Sequence, residues 1–386
     1  MKVLMINVVC GIRSTGRICT DIATELEAQG HEVKIAYGRE TVPPEFEHYA
    51  VRIGSDLDVK VHGIKARLFD GCGFGSKKAT NEFVKWIKDY NPDVIHLHNL
   101  HGYYINVEIL FNYLKTCGKK IIWTLHDCWA FTGHSAFCDA IDCERWETGC
   151  YNCPMIKEYP ASYSDHSKTN WARKRKVLSG VPNLTIITPS EWLADLTRKS
   201  FLKEYPVKVI NNGIDTEKFL PVESDIKAKL GIPEKRMILG VATAWNDFKG
   251  WDDYIELANM LDDRYRIVLV GLTKKQIKEL PKKIIGIERT NSIDDLVKLY
   301  SASFAVLNLS YCESYGMTNI EAQQCGTPVI TYSTGGCVET VGPESVIIEK
   351  GNVGRVINAL DNVKPIKGFK KAFDKAEFVE KYMNEY

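Results

Sequence analysis

Short, near-continuous apolar runs alternate with helical patterns along the whole chain, and the series is run through twice. KVLMINVV (Lys2–Val9) opens the first series and reads as a strand buried on both faces, ending at Gly11. Thr20 to Gln29 follows as an amphipathic helix, with Ile22, Ala23 and Leu26 at helical spacing and Gly30 placed to end it. HEVKIAY, DVIHLHN (Asp93–Asn99), KKIIWTLHD (Lys119–Asp127), TIITPS (Thr185–Ser190) and VKVINN (Val207–Asn212) complete this set of strands, with a helical Val107–Lys115 among them. The pattern restarts with RMILGVAT (Arg236–Thr243), RIVLVG (Arg266–Gly271), KKIIGI (Lys282–Ile287), FAVLNLS (Phe304–Ser310) and TPVITY (Thr327–Tyr332). Strands alternating with helices specify parallel sheets, so two series predict two doubly wound α/β domains.

The length of 386 residues suits that division. The polar stretch from Lys218 to Glu234, with Pro221 and Pro233, is the best linker, giving domains of 1–217 and 218–366 and a C-terminal helix in 367–386. Two facing Rossmann-like domains would leave a cleft between the carboxyl ends of their sheets, where nucleotides and their conjugates bind. Fifty Lys and Arg against 49 Asp and Glu give a net charge of +1, so no global field recruits nucleic acid. The N-terminus has no signal-peptide pattern, and no window approaches the ~18 apolar residues of a membrane span. Twelve Cys in such a chain suggest reduced thiols or a metal site. The expectation is a cytoplasmic protein that could touch the inner face of a membrane.

The strongest chemical signal is CESYGMTNIE (Cys312–Glu321) followed by AQQCGTPVI. A buried strand ends, a loop carries Glu313, and Gly316 opens a helix bearing Glu321. N–H groups near Gly316, Met317, Thr318 and Asn319 would face an anion or a sugar hydroxyl, and carboxylates accept well from sugar hydroxyls. Without context, the two Glu would read as a loop charge and a helix-surface charge.

The context is an ordered set. LEAQGHEVKIA, DVIHLHN, TLHD, TPSEWLA, VINNGID with Phe219, FKG, the Cys312–Glu321 segment and STGGCVE fall in the order found in retaining glycosyltransferases of family four, and the chain resembles that family from about Val3 to Glu339. HDCWAFTGH and the Trp before FKG look most like its bacterial exopolysaccharide and colanic-acid-type branch.

The resemblance implies the GT-B fold and metal-independent transfer of a hexose from a nucleotide sugar, a UDP-sugar by preference, to a polysaccharide or lipid-linked glycan. It places Glu313 and His126 at the donor sugar, Glu321 at the ribose hydroxyls, Lys249 at the diphosphate and Gly16 in a loop facing donor phosphate and acceptor. The second phosphate-binding Arg of the wider family is missing, because Ala244 and Trp245 occupy its region. Arg13, Arg17 and Arg289 are the candidate replacements. The resemblance also implies that the C-terminal helix crosses back to the first domain. A sugar-nucleotide 2-epimerase of the same fold and a catalytically silent sugar-nucleotide-binding scaffold are the competing readings.

Three further features stand apart. Cys138, Cys143, Cys150 and Cys153 lie in a loop-rich insert, 128–153, and could bind a structural Zn, remain buried thiols or form labile disulfides. His96 and His98 share one face of a strand, with no third metal ligand apparent, and are taken as lying near the acceptor side. Arg173–Lys174–Arg175–Lys176 could meet anionic headgroups or a lipid-linked diphosphate, or simply form a solvated helix face. Asp56–Leu57–Asp58 resembles the metal-binding carboxylates of another glycosyltransferase fold but does not sit at a strand end.

Overall fold

The structure is a computed structural model that describes residues 1–366 and 374–386. By its contacts the chain divides into two compact units, 1–211 with 378–386, and 212–377. Each is a parallel sheet with helices.

In the first unit the strands are β1 (Lys2–Asn7), β2 (Glu32–Tyr37), β3 (Ala50–Arg52), β4 (Val94–Leu97), β5 (Lys120–Thr124), β6 (Leu184–Thr188) and β7 (Val207–Val209). Their order in the sheet is β3-β2-β1-β4-β5-β6-β7. The helices are α1 (Arg13–Ala28), α2 (Asp56–Phe69), α3 (Lys77–Tyr90), α4 (Val107–Leu114), α5 (Ser167–Leu178) and α6 (Glu191–Lys199).

In the second unit β8 (Arg236–Val241), β9 (Tyr265–Val270), β10 (Ile284–Ile287), β11 (Ala305–Asn308), β12 (Val329–Tyr332) and β13 (Val346–Ile348) line up as β10-β9-β8-β11-β12-β13. Its helices are α7 (Ile226–Lys229), α8 (Trp251–Met260), α9 (Lys274–Lys278), α10 (Ile293–Ala302), α11 (Met317–Gln324) and α12 (Val353–Leu360), and the last helix, α13 (Lys375–Met383), belongs to the first unit from Phe378 on.

Both sheets turn back on themselves beside their first strand, at β1/β4 and at β8/β11. That reversal opens a crevice at the carboxyl ends of those strands, where ligands bind in this architecture. Alternation along β1 feeds two cores. Val3 and Met5 pack with α1 residues Cys19, Ile22 and Leu26, whereas Leu4 and Ile6 pack with α3, α4 and the insert. Near-continuous burial of β1, β4, β8 and β11 is why their sequences read as unbroken apolar runs.

Three expectations change. Helix α1 begins at Arg13, well before Thr20, because its first turn is built from the Ser14–Gly16 loop residues. The C-terminal element is α13, and residues 367–373 of the expected helix lie outside the described residues. Phe378, Val379 and Tyr382 of α13 are buried in the first unit's core beside Ile22 and Ile35. The loop-rich insert is not a solvated excursion but packs into the fold: Trp129, Phe131, Ala136 and Trp146 are buried with the first unit's apolar cluster.

Candidate functional site

In the second unit the two loops after the central strands meet. After β8, Asn246 caps a 3-10 turn, Asp247–Lys249, by accepting from the Lys249 N–H at 3.2 Å. Gly250 then takes a left-handed conformation (φ +70) against the carbonyl of Leu309, the residue just past β11, so a Cβ there would overlap that oxygen. The Tyr311 N–H donates to Phe248 O at 2.8 Å and joins the two loops. The result sets Lys249 Nζ 2.5 Å from Glu313 Oε2, with both side chains still partly open to solvent. Burial pushes the Lys249 ammonium down, but the adjacent carboxylate outweighs it and the group is held above its ordinary range. Lys249 therefore stays charged at any physiological pH.

Glu313 is fixed by its backbone too. Its carbonyl accepts from Gly336 N–H at 3.0 Å, and Gly335 (φ +51) packs against that same oxygen where no side chain fits. Gly335→Ala should displace the Glu313 loop. Turnover is expected to fall at least about tenfold while the thermal midpoint moves only a few degrees, since strain of this kind costs about 1–3 kcal/mol. Nucleotide-release rates beside a melting curve check this; unchanged turnover would refute the coupling.

Gly316 (φ 86) caps α11 and leaves the Met317 and Thr318 N–H groups at the helix start without intrahelical acceptors. Asn319 differs from expectation. Its N–H already donates to Gly316 O at 3.0 Å, and its buried amide donates to Thr340 Oγ1 and accepts from Asn308 Nδ2. It holds α11 to β11, and its amide is fully engaged in doing so. Glu321 is set by a residue that spacing did not single out: Tyr300 on α10 donates to Glu321 Oε2 at 2.7 Å. Arg289 lies just past β10, exposed and outside any ion pair among the described residues. Trp245, where the family's Arg was sought, turns its indole inward and donates to Val270 O at 2.9 Å. That position is used for packing.

In the first unit Asn7, buried at the end of β1, organises the crevice. Its amide donates to Val9 O and Thr15 Oγ1, and its oxygen accepts from the Asn99 N–H. Gly16 is buried where the loop folds against Val9 and Gly11. Of the basic candidates there, Arg13 pairs with Glu40 at 2.7 Å, and Arg17 is exposed without an ion pair among the described residues.

Past β4 and β5, His98 Nδ1 and His126 Nε2 are 3.1 Å apart with stacked rings, and His98 Nε2 is buried without a hydrogen-bond partner. Burial lowers His126 to about 4, so its imidazole is neutral at neutral pH. His96 bonds Tyr386 and Thr124 as part of the core, and does not form a metal pair with His98. A chain of contacts absent from the motif reading, Tyr159–His101–Asp127, lies alongside, at 2.8 Å for each bond.

Of the three readings of the insert's cysteines, the structure shows free thiols. Among the described residues no three His, Cys, Asp or Glu side chains gather to hold a metal ion. Cys138 turns into the core, Cys150 accepts from the Gly133 N–H, and burial pushes Cys150 and Cys153 up to about 12 and 11. Asp56 and Asp58 are occupied by Arg52 and by the Ser55 cap of α2. The basic run is divided: Lys174 is buried, bonding Trp129 O and Thr132 O, while Arg173 pairs with Glu108.

Residues 15–218 match the family model described as Glycosyltransferase Family 4, and 222–377 match that of Glycosyl transferases group 1. The chain is a family-four glycosyltransferase. Among relatives of this glycosyltransferase, WcaC of Escherichia coli K12, named for colanic acid biosynthesis, is 25% identical and aligns over 100% of this chain and 99% of its own. Among solved structures, the sucrose-phosphate synthase of Thermosynechococcus elongatus superposes with a TM-score of 0.70 at 16% identity, covering 99% of this chain and 97% of that one. Anabaena HepE in complex with UDP-glucose gives 0.68 at 16% identity over 100% of both chains. These likenesses establish the two-domain, Rossmann-like GT-B fold. Among the described residues, no helix of the glycosyltransferase is long and apolar enough to cross a membrane.

Proposed function

We propose that this glycosyltransferase moves a hexose from a UDP-sugar to a polysaccharide or lipid-linked glycan, with retention and without a catalytic metal. The observation that carries the reading is the Lys249–Glu313 pair at the carboxyl ends of β8 and β11, with Glu321 anchored by Tyr300 behind it. In the unliganded pair each charge neutralises the other. A donor diphosphate competes for the Lys249 ammonium, which stabilises charge developing on the leaving group. Glu313 is then released to accept from hexose hydroxyls, and Glu321 accepts from the ribose hydroxyls. His126, neutral, hydrogen-bonds a sugar hydroxyl.

In the step itself the anomeric C–O bond to the diphosphate breaks and a C–O bond to the acceptor hydroxyl forms on the same face. The acceptor proton passes to a diphosphate oxygen, and UDP leaves. Retention by this route asks for no enzyme nucleophile. HepE, crystallised with UDP-glucose, and WcaC, named for colanic acid biosynthesis, support the donor and acceptor classes.

The test is nucleotide release from UDP-, GDP- and dTDP-hexoses, with and without a lipid-linked acceptor extract and with EDTA, and NMR of the product anomer. The expected result is extract-stimulated release from a UDP-hexose that survives EDTA and yields the donor's anomer. Glu321→Ala should weaken UDP binding by roughly tenfold or more, as loss of a charge-assisted hydrogen bond does. Acceptor-independent conversion would point instead to an epimerase, and binding without turnover to a scaffold.

A further inference from the structure

Helix α2 is turned inside out. Its inward face is slight: His62 and Ala66 are buried and Gly63 lies against Tyr103. Its large apolar residues point to solvent, with Leu57 at 69% exposure, Ile64 at 61% and Phe69 at 63%, and with Val61 and Leu68 also exposed. On a helix of 3.6 residues per turn, Leu57, Val61, Ile64 and Leu68 fall within an arc of about 60°. Lys60 and Arg67 border that stripe on one side and Lys65 on the other, all exposed.

The helix's own acidic residues do not offset this charge. Asp56 is held by Arg52 at 2.5 Å, and Asp58 is committed to the N-cap. Beside the last turn stands Tyr163, 75% exposed, with the Arg67 guanidinium 4.7 Å from its ring centre. Its loop is fastened to α2, since the Tyr163 N–H donates to Arg67 O at 2.8 Å and Ser164 Oγ to Leu68 O at 2.6 Å.

We propose that this face of α2, with Tyr163, docks on an anionic lipid bilayer. A solvent-facing apolar stripe rimmed on both sides by long basic side chains is the pattern of a helix lying in the headgroup plane. The aliphatic residues enter the acyl boundary, and the Lys and Arg stems lie along them with their charges among the phosphates. The basic rim identifies the occupant, because an apolar protein surface would not require a border of one sign, whereas an anionic leaflet attracts each such charge. A tyrosine with an apolar body and a polar tip suits the same depth. The surface lies on α2 rather than on the divided Arg173–Lys176 run, and it stands independently of the donor reading.

Co-sedimentation of the full chain with vesicles of phosphatidylglycerol and phosphatidylcholine, against phosphatidylcholine alone, tests it. The wild type should bind the anionic vesicles and release in high salt. Leu57→Ser/Ile64→Ser/Leu68→Ser should reduce partitioning by about tenfold or more, and Lys60→Gln/Lys65→Gln/Arg67→Gln should abolish the preference for anionic lipid. UDP binding by each variant reports that the fold is intact. An emission blue shift of Leu57→Trp with vesicles would place the stripe in the boundary. No wild-type binding, or binding unaltered in folded variants, would overturn the proposal. So would a wild-type dimer that the serine variant splits, because the occupant would then be a second copy.

Discussion

Glu313→Gln is expected to lower transfer by roughly 10²–10³-fold, the loss found when one preorganised electrostatic group is removed from a transition state. UDP binding should be unchanged or slightly tighter. The sign follows from the ion pair: Glu313 is the partner of Lys249 in the free protein, at 2.5 Å, and an uncharged amide no longer competes with the diphosphate for that ammonium. Lys249→Ala should produce a comparable loss of rate with weaker UDP binding, since the charge that meets the diphosphate is gone. Single-turnover rates and calorimetric UDP affinities for the two variants separate these effects. Parallel losses of affinity in both would show that the pair only shapes the nucleotide site.

That pair was half legible in the sequence. The spacing of Glu313 and Glu321 after a buried strand, and Lys249 in FKG, marked three side chains. Their mutual arrangement depends on Gly250 and Gly335, whose close backbone approaches no local pattern announces. The parallel sheets were legible because strands covered on both faces read as unbroken apolar runs. β3, only three residues long, gives no such run, and α2 escaped notice because its apolar period faces solvent and so forecasts no core stripe. Asn319 was read as a ligand group because helix-start position was visible and its amide partners, Asn308 and Thr340, were not. The zinc expectation rested on Cys spacing alone. The insert instead packs Trp129, Phe131 and Trp146 with the main core.

Mild acid should unfold the first unit selectively. All nine histidines of the chain precede residue 167, so the second unit contains none. Burial lowers His62 and His126 to about 4 and His96 to about 3, and holds His98 well below its ordinary value. For His62 the hydrogen bonding agrees: the Gly75 N–H donates to Nε2 at 3.0 Å, a role only an unprotonated nitrogen can fill.

The unfolded chain takes up protons near pH 6.5 and the folded unit does not until about pH 3–4, so stability is full above 6.5 and is lost as pH falls through that window. At pH 5 His62, His96 and His126 each cost about 2 kcal/mol, or about 6 kcal/mol for the three, and His98 acts in the same direction. For a unit of this size that is a drop in melting temperature of roughly 15 °C between pH 7.5 and 5. Calorimetry should show the first unit's transition moving down while the second's holds, and His96→Gln should flatten the shift by about a third. Equal movement of both transitions would exclude the histidines as the cause.

The first unit is made from two stretches of chain separated by the whole of 212–377. Its inner face is completed by Phe378, Val379 and Tyr382, and Tyr382 and Tyr386 supply the partners of Thr124 and His96. A ribosome delivers those tyrosines only after the second unit has been synthesised. Until then Ile22, Ile35 and Ile122 lack part of their cover, and His96 keeps an unanswered nitrogen in an apolar wall. Of the two units, the one begun first is thus the one finished last, and the nascent chain must wait, with one side of its first sheet incomplete, for the codons of residues 378–386.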